Sequence, residues 1–318
     1  MSDKKFAVVS SAGLIFAAAI WGFAFVIVKD SLDYVGAIWM LAFRFTIAAV
    51  CMAIVFYKKF SLMKKSYWLH GALLGALLFS AYAFQTVGCK YTTAGKNAFL
   101  TTIYVILVPL IGWPLNKKKP GVTTFIAAIL SVTGIGLLAL KNENGSLLSM
   151  NIGDVLTLVC GVFYAVHILF VEKFDAAEDP LLLTVLQFAF AALFSWIAAP
   201  CMDGAFPAAS LTNMRVVVSM LYLGVFSTMI AFMLQNVCLK YVPSALASLF
   251  LSLESVFGVL FGTVLLHEHM TLRMVIGCVL IFSAILLAEV IPQIVKKNQE
   301  PQQSGDNSRA QAAKGGDE

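Results

Sequence analysis

The chain consists of long apolar stretches separated by short polar segments, and within each stretch apolar and polar positions do not alternate. A membrane β-strand needs about 10 alternating residues, whereas a membrane-spanning helix needs about 20 mostly apolar ones. The pattern therefore predicts helices, which satisfy their own backbone hydrogen bonds in lipid. Ten runs have this character: 10–28, 36–57, 67–88, 97–115, 121–140, 152–171, 180–199, 215–236, 243–266 and 271–291.

Composition strengthens this interpretation. Apolar residues make up 60% of the 318 positions and charged residues only 12%, about half the charged fraction of ordinary soluble domains. Disorder is excluded for most of the chain because charge is low and the 25 Phe, 9 Tyr and 5 Trp are plentiful. We expect an all-α integral membrane protein with ten transmembrane helices, embedded in a lipid bilayer.

The distribution of Lys and Arg predicts the orientation. With a cytoplasmic N-terminus, the inside loops and flanks hold 13 of these residues and the outside ones hold 6. The positive-inside rule then places both termini in the cytoplasm and the chain in the cell membrane. The net charge of +5 is explained by Lys clusters beside the membrane, which attract anionic lipid head groups. No nucleic-acid partner is needed.

The ten predicted spans divide into two halves of five. Lys90-Tyr91 is echoed by Lys240-Tyr241 at an offset of 150 residues, and span ends and loop lengths coincide at the same offset. Because five is odd, the second half enters the membrane from the opposite side, as in an inverted repeat. The expected organisation is a first repeat at 1–140, an extracellular linker at 141–151, a second repeat at 152–292 and a disordered cytoplasmic tail at 293–318.

Several short motifs carry a family resemblance. They are Ala19-Ile20-Trp21-Gly22, Arg44, Val108-Pro109-Leu110, Leu253-Glu254-Ser255-Val256 and Leu266-His267-Glu268. In order and spacing the chain resembles EamA-type members of the drug/metabolite transporter superfamily over residues 10–291. The resemblance implies two EamA-type repeats and transport of small metabolites such as amino acids. The chain departs from the family at Ser255, where Pro is frequent, and at His267, where Gly commonly precedes the acid.

Two charged residues fall near the predicted membrane centre, Arg44 and Glu254. A charge at mid-membrane costs about 2.5–3.5 kcal/mol on insertion scales, so each is a functional candidate. In one interpretation Arg44 binds a substrate carboxylate or phosphate with its planar donor fork. In the other, Arg44 and Glu254 pair with each other, or each bonds to the backbone, without touching substrate.

Other polar residues in the spans are weaker candidates. Lys96 either holds an anionic substrate at the outer vestibule or extends to the head groups. His167 either carries protons or forms a hydrogen bond across helices, and Gln187 either joins helices or lines the site. Asn97 and Tyr104 share a polar helix face with Thr101. The candidate substrate-binding residues are Arg44, Glu254, Tyr104, Asn97, Lys96, Trp21, Gln187 and His167.

We expect a secondary transporter that exports a small metabolite (an amino acid, organic acid or related compound) by alternating access. No Walker lysine motif is present, which excludes ATP hydrolysis by this chain. The alternatives are a membrane enzyme, for which no catalytic cluster is found, and a channel or non-transporting scaffold. No cofactor and no metal site are expected, since the six Cys have no ligand spacing. The sequence leaves monomer and homodimer both open.

Overall fold

The computed structural model describes residues 3–116, 121–139, 150–175, 177–238, 241–242 and 244–289, and all regular secondary structure in these ranges is helical. Short 3₁₀ turns occupy Tyr57–Leu62 and Ser210–Thr212, and a π-helical segment occupies Tyr222–Ile230. The α-helices are α1 (Asp3–Ser31), α2 (Ala37–Val55), α3 (Lys65–Tyr91), α4 (Ala94–Thr101), α5 (Tyr104–Asn116), α6 (Val122–Ala139), α7 (Ile152–Asp175), α8 (Pro180–Met202), α9 (Met214–Leu221), α10 (Ala231–Cys238), α11 (Ser244–Leu265) and α12 (Leu272–Glu289).

Length and composition of these helices confirm a multi-pass, all-α membrane protein. Among the described residues, seven stretches are long and apolar enough to cross a bilayer: Val8–Ser31, Ala37–Val55, Lys65–Tyr91, Ala94–Pro114, Ile152–Asp175, Pro180–Met202 and Met214–Cys238. Three shorter apolar helical stretches are Val122–Gly134, Phe250–Leu265 and Leu272–Leu287. Each of these stretches overlaps one predicted run. Residues 141–149 of the predicted linker (141–151) and the whole predicted tail (293–318) lie outside the described residues.

Two predicted spans are not continuous α-helices. The fourth is divided into α4 and α5 at Thr102 and Ile103. Thr101 donates its hydroxyl hydrogen to the Asn97 carbonyl (2.8 Å) and Thr102 to the Phe99 carbonyl (2.6 Å), and such bonds compete with the helical ladder. The eighth span changes from α9 through the π segment to α10, and Thr228 donates to the carbonyl of Leu223, five residues earlier (2.8 Å). Helix length alone does not reveal either break.

Polar contacts assign the helix ends to two opposite ends of the bundle. At the end that we call the far end, Lys29 near the end of α1 donates to the carbonyls of Cys89 (2.8 Å) and Thr92 (2.6 Å), at and just past the end of α3. Glu268, which follows α11, accepts from the backbone N–H groups of Ala94 (2.6 Å) and Gly95 (3.0 Å) at the start of α4. Lysine is favourable at a helix C-terminus and glutamate at an N-terminus, so both contacts stabilise the helix ends they touch.

The other end, called the near end, gathers the opposite helix termini. Lys59, just past α2, forms an ion pair with Asp179, the N-cap residue of α8. His70 in the second turn of α3 lies 3.0 Å from the carboxylate of Glu178, which follows α7. Burial raises the pKa of Asp179, but hydrogen bonds from Lys59 and the Leu182 N–H outweigh it and hold that pKa below its ordinary value. These contacts place the ends of α1 and α3 and the start of α4 at the far end, and the ends of α2 and α7 and the starts of α3 and α8 at the near end.

The helices pack in a recurrent set of pairs. The closest pairs are α6 with α12, α3 with α7, α1 with α11, α2 with α8 and α3 with α8. Around the centre of the bundle, α4 packs on α11, α2 on the π segment and α1 on α10. The largest cluster of buried apolar residues lies mainly on α2, α3 and α8, and it includes Phe45, Leu78 and Phe188. This packing leaves a cavity beside the cluster.

Candidate substrate cavity

A cavity of about 760 Å³ lies between the helices and reaches the centre of the bundle. Residues of α1, α2, α3, α7, α8, the π segment and α11 contribute to its wall, together with residues of the broken fourth and eighth spans. Six of the eight candidate residues line it: Trp21, Arg44, Tyr104, His167, Gln187 and Glu254. Lys96 and Asn97 do not.

Arg44 lies in the wall on α2 and is only 3% exposed. Its Nε donates to Thr228 Oγ1 (3.0 Å) and its Nη2 to Ser227 Oγ (3.0 Å), and its guanidinium carbon lies 4.5 Å from the centre of the Tyr82 ring. A guanidinium has five N–H donors, and Nη1 makes no hydrogen bond with the described residues. The guanidinium group of Arg44 is therefore held in position while its Nη1 has no hydrogen-bond partner among the described residues.

The π segment supplies the residues that hold Arg44. The Ser227 carbonyl also accepts a hydrogen bond from Trp21 Nε1 (2.8 Å), so one residue positions side chains from both α1 and α2. Sequence reasoning missed Ser227 and Thr228, because a Ser-Thr pair inside an apolar run is an ordinary helix feature. π turns inside helices are frequent at functional sites, but this one has no pattern in the sequence.

Glu254 lies on α11 and is 7% exposed. The Tyr104 hydroxyl hydrogen-bonds to its carboxyl group. The described residues form four ion pairs, and neither Arg44 nor Glu254 takes part in any of them. The expected alternative in which Arg44 and Glu254 pair with each other is therefore not the arrangement of this structure.

His167 of α7 and Gln187 of α8 meet across the cavity wall. His167 Nε2 and Gln187 Oε1 are 2.8 Å apart, and both side chains are buried. The geometry is that of a hydrogen bond between helices, which was one of the two interpretations for each residue. Since both also line the cavity, they remain within reach of a ligand.

Asn97 is fully buried beside the cavity instead of facing it. Its Nδ2 donates to Thr157 Oγ1 of α7 (2.8 Å) and to the Gln85 carbonyl of α3 (3.1 Å). Its Oδ1 is buried without a hydrogen-bond partner among the described residues. On the same helix face, Thr101 accepts from Gln85 Nε2 (3.2 Å) and does line the cavity. Asn97 thus joins three helices.

Lys96 requires a correction. It neither reaches the head groups nor lines the cavity, because its ammonium forms a buried ion pair with Asp154 of α7 at 2.7 Å. The Lys96 side chain is 10% exposed and that of Asp154 is 0% exposed, and Thr92 donates a further hydrogen bond to Asp154 (2.6 Å). Sequence reasoning missed Asp154, since no local spacing links a residue to a partner 58 positions away.

The lining of the cavity extends to different depths toward the two ends of the bundle. Toward the far end, the last lining residue of α1 is Val28, which precedes the bonded Lys29. Toward the near end, the lining continues to Glu172 and Asp175 in the last turn of α7 and to Asn236 on α10. Glu172 is exposed. The cavity is therefore closed by contacts at the far end and extends to the surface at the near end.

Comparisons with known proteins agree with this architecture. The EamA-like transporter family model matches residues 10–140 and 151–289. An uncharacterized transporter of Archaeoglobus fulgidus is 32% identical over 282 residues, covering 87% of this chain and 85% of that protein. The uncharacterized transporter YvbV of Bacillus subtilis is 23% identical over 278 residues, covering 86% and 89%. A crystal structure with 16% identity superposes with a TM-score of 0.64 over 89% of this chain and 96% of that one, which shows a shared fold.

The chain belongs to the EamA-like transporter family, a branch of the drug/metabolite transporter superfamily. It is a membrane transporter, and the resemblance noted in the sequence motifs is confirmed.

Proposed function

We propose that the protein is a secondary transporter that exports a small metabolite, such as an amino acid, an organic acid or a related compound, by alternating access. The observation that carries this proposal is the central cavity, which has a buried Arg44 with unused donors in its wall and extends to one end of the bundle only. A cavity open to one side is what one state of an alternating-access cycle requires. The substrate then binds at the level of Arg44.

The helix packing supports two inverted repeats of five spans. Exchanging the halves maps three packed pairs onto themselves: α2 with α8, the fourth span with α11, and α6 with α12. The same exchange converts the α3–α7 pair into a pair of the eighth span with α1, and this pair is also packed together. It converts the α1–α11 pair into a pair of α7 with the fourth span, which is packed together as well. The two separate family matches fall on the same halves. In such transporters the substrate site lies near the membrane midplane between the repeats.

The Lys and Arg distribution supports a cytoplasmic near end. The clusters at Lys58, Lys59, Lys64 and Lys65 lie beside the near-end contacts, and Lys/Arg-rich loops face the cytoplasm. We infer that both termini are cytoplasmic and that the cavity opens inward in this state. An exporter would load its substrate from this side of the cell membrane.

The test is substrate flux in proteoliposomes made with the purified protein. A panel of radiolabelled amino acids and organic acids identifies a transported compound, and Arg44→Lys is then compared with wild type. Transport should fall about 10- to 100-fold, because hydrogen bonds to charged groups contribute about 1.5–3 kcal/mol and 1.4 kcal/mol is a factor of ten. A Lys retains the charge but lacks the planar fork.

Arg273→Lys is the matched control, since Arg273 is exposed at the start of α12 and does not line the cavity. It should transport normally. Full transport by Arg44→Met at normal expression would refute a substrate role for Arg44. A folded protein that moves no compound of the panel would favour the scaffold interpretation.

A further inference from the structure

A second hollow lies on the side of the bundle, at the far end. It has a volume of about 440 Å³ and runs between the last turns of α1, the start of α9 and the end of α11. We call it the side groove. Its wall is mostly apolar and carries two charged residues, Asp30 and Arg215. Among the described residues, none lines both the side groove and the central cavity.

Helix α1 forms the wall between the side groove and the central cavity. Its cavity-lining residues are Trp21, Ala24, Phe25 and Val28, and its groove-lining residues are Phe23, Val26, Ile27 and Asp30. Each set follows the i, i+3, i+4, i+7 spacing of one helix face, so the two sets occupy opposite faces of α1. The side groove is therefore a site separate from the cavity.

The charged residues of the side groove lie at a membrane boundary. Asp30 is the second-to-last residue of the span Val8–Ser31, and Arg215 is the second residue of the span Met214–Cys238. From Asp30 back to Phe23 the helix rises about 10 Å, whereas half of the hydrocarbon core is about 15 Å thick. The side groove thus begins at the level of the lipid head groups and stays within one leaflet.

The apolar wall of the side groove is open to its surroundings. Met214 and Val218 of α9 and Leu265 of α11 are all exposed. Exposed apolar surface of this kind marks a site of interaction with another molecule. In a bilayer, the molecules that reach this depth from the side are lipids, and a hydrocarbon chain matches the apolar wall.

The ion pair at the head-group level has unused hydrogen-bonding capacity. Arg215 Nε donates to Asp30 Oδ2 (3.0 Å) and Nη2 donates to Oδ1. Arg215 Nη1 makes no hydrogen bond with the described residues, and a carboxylate can accept about four hydrogen bonds. The two side chains are 61% and 23% exposed. The pair therefore offers a donor and an acceptor side by side to a ligand above the apolar wall.

This arrangement selects among phospholipid head groups. A phosphate is a bidentate partner for a guanidinium, and an ammonium donates charge-assisted hydrogen bonds to a carboxylate. Ethanolamine phospholipids have both groups. The glycerol head group has no cation for Asp30, and the quaternary choline has no N–H to donate. Charge complementarity therefore favours a lipid with a primary ammonium.

We propose that the side groove is a binding site for one molecule of phosphatidylethanolamine from the leaflet at the far end. Its phosphate binds Arg215 and its ammonium group binds Asp30. One acyl chain lies in the groove against Ile27, Val218 and Leu265. The bound lipid packs on the face of α1 opposite to the one that lines the central cavity.

The experiment counts bound lipid by native mass spectrometry on the delipidated, full-length protein in detergent. Phosphatidylethanolamine, phosphatidylcholine, phosphatidylglycerol and diacylglycerol are compared, all with the same acyl chains. Phosphatidylethanolamine should bind about tenfold more tightly than each of the others, which is the effect of one additional hydrogen bond to a charged group.

Variants at the ion pair test the head-group contacts. Arg215→Met should weaken binding of phosphatidylethanolamine about tenfold, because the phosphate loses its charged donor. Asp30→Asn should abolish the preference over phosphatidylglycerol. Arg273→Met is the matched control, since Arg273 is also the exposed second residue of a helix and does not line the side groove. It should bind lipid as wild type does.

A variant in the apolar wall tests the acyl-chain contact without changing the ion pair. Val218→Trp fills the side groove and should abolish selective binding, also in the event that Arg215→Met fails to fold. Val237→Trp is its control, because Val237 is an exposed valine of the same span that does not line the groove. It should leave lipid binding unchanged.

Selective binding of phosphatidylethanolamine that Arg215→Met and Val218→Trp both weaken, with both controls unchanged, would support the site. Equal binding of the three phospholipids, or binding of diacylglycerol as tight as that of phosphatidylethanolamine, would overturn it. Unchanged binding by Arg215→Met and Val218→Trp would do the same. A protein dimer that Val218→Trp dissociates would assign the side groove to a second copy of the chain and would contradict the proposed lipid.

Discussion

The two ends of the bundle are joined by the same kinds of residue in different surroundings. At the far end, Lys96 and Asp154 form an ion pair whose side chains are 10% and 0% exposed. At the near end, Lys59 and Asp179 form one whose side chains are 33% and 21% exposed. We call these the far-end pair and the near-end pair. Each joins helices of opposite halves.

The difference in burial changes what each pair contributes. Removing one partner of a buried pair leaves an uncompensated charge and costs about 3–5 kcal/mol, whereas exposed pairs contribute about 0–1 kcal/mol. The cavity extends toward the near end and stops short of the far end. The strong, dry contact therefore lies where the cavity is closed, and the weak, wet contact lies where it is open. Three substitutions test this contrast.

The largest effect is expected at the far-end pair. Asp154→Asn should lower the free energy of unfolding by about 3–5 kcal/mol, because the Lys96 ammonium remains buried without its counter-charge. Chemical unfolding of the purified protein in detergent measures the change. The double variant Lys96→Met/Asp154→Leu should be milder than Asp154→Asn. An Asp154→Asn protein as stable as wild type would remove the contrast between the two ends.

A smaller effect is expected from the backbone contact beside that pair. A Cβ added at Gly153 would lie 2.5 Å from the Gly88 carbonyl oxygen and 2.8 Å from the Thr92 nitrogen, atoms that cannot rotate away. Gly153→Ala should therefore destabilise the protein by about 1–3 kcal/mol, the usual cost of overpacking. Gly121→Ala is the control, since the nearest atom to its added Cβ would be 3.5 Å away. Equal stability of the two variants would show that the far end is loosely packed.

The smallest effect is expected at the near-end pair. Lys59→Met should change the free energy of unfolding by no more than about 1 kcal/mol, because solvent already screens this pair. Its neighbour Lys58 is exposed and forms none of the described ion pairs, so Lys58→Met serves as the control. A loss of several kcal/mol in Lys59→Met alone would mean that the near end is as firmly closed as the far end.

The sequence predicts the positions of the helices better than it predicts the points at which two of the spans are interrupted. Lipid forces every spanning segment to satisfy its own backbone, so apolar runs identify the helices directly. The break after Thr101 and the π segment at Tyr222–Ile230 are accompanied by bonds from threonine hydroxyls to backbone carbonyls. Because such bonds do not change the hydropathy of the segment, the pattern of apolar runs does not predict where the helices are interrupted.

The cavity wall is predicted in part. Arg44 and Glu254 stand out because charge is rare in a span, and both line the cavity. One of the two interpretations paired them with each other, but depth along a helix does not specify the angular position around the bundle, and neither residue takes part in an ion pair among the described residues. Lys96 at a span boundary resembles an ordinary head-group lysine. Only the folded chain brings Asp154 beside it.

The far-end pair also constrains the order of events during synthesis. Lys96 belongs to the first half of the chain and Asp154 follows it by 58 residues. At about 5–20 residues per second, the ribosome delivers the aspartate roughly 3–12 s after the lysine. During this interval the first four spans carry a cation whose partner has not yet been made, so the ammonium must be hydrated at the membrane surface. Docking of α7 then draws it inside, and the far end closes only when the second half begins to insert.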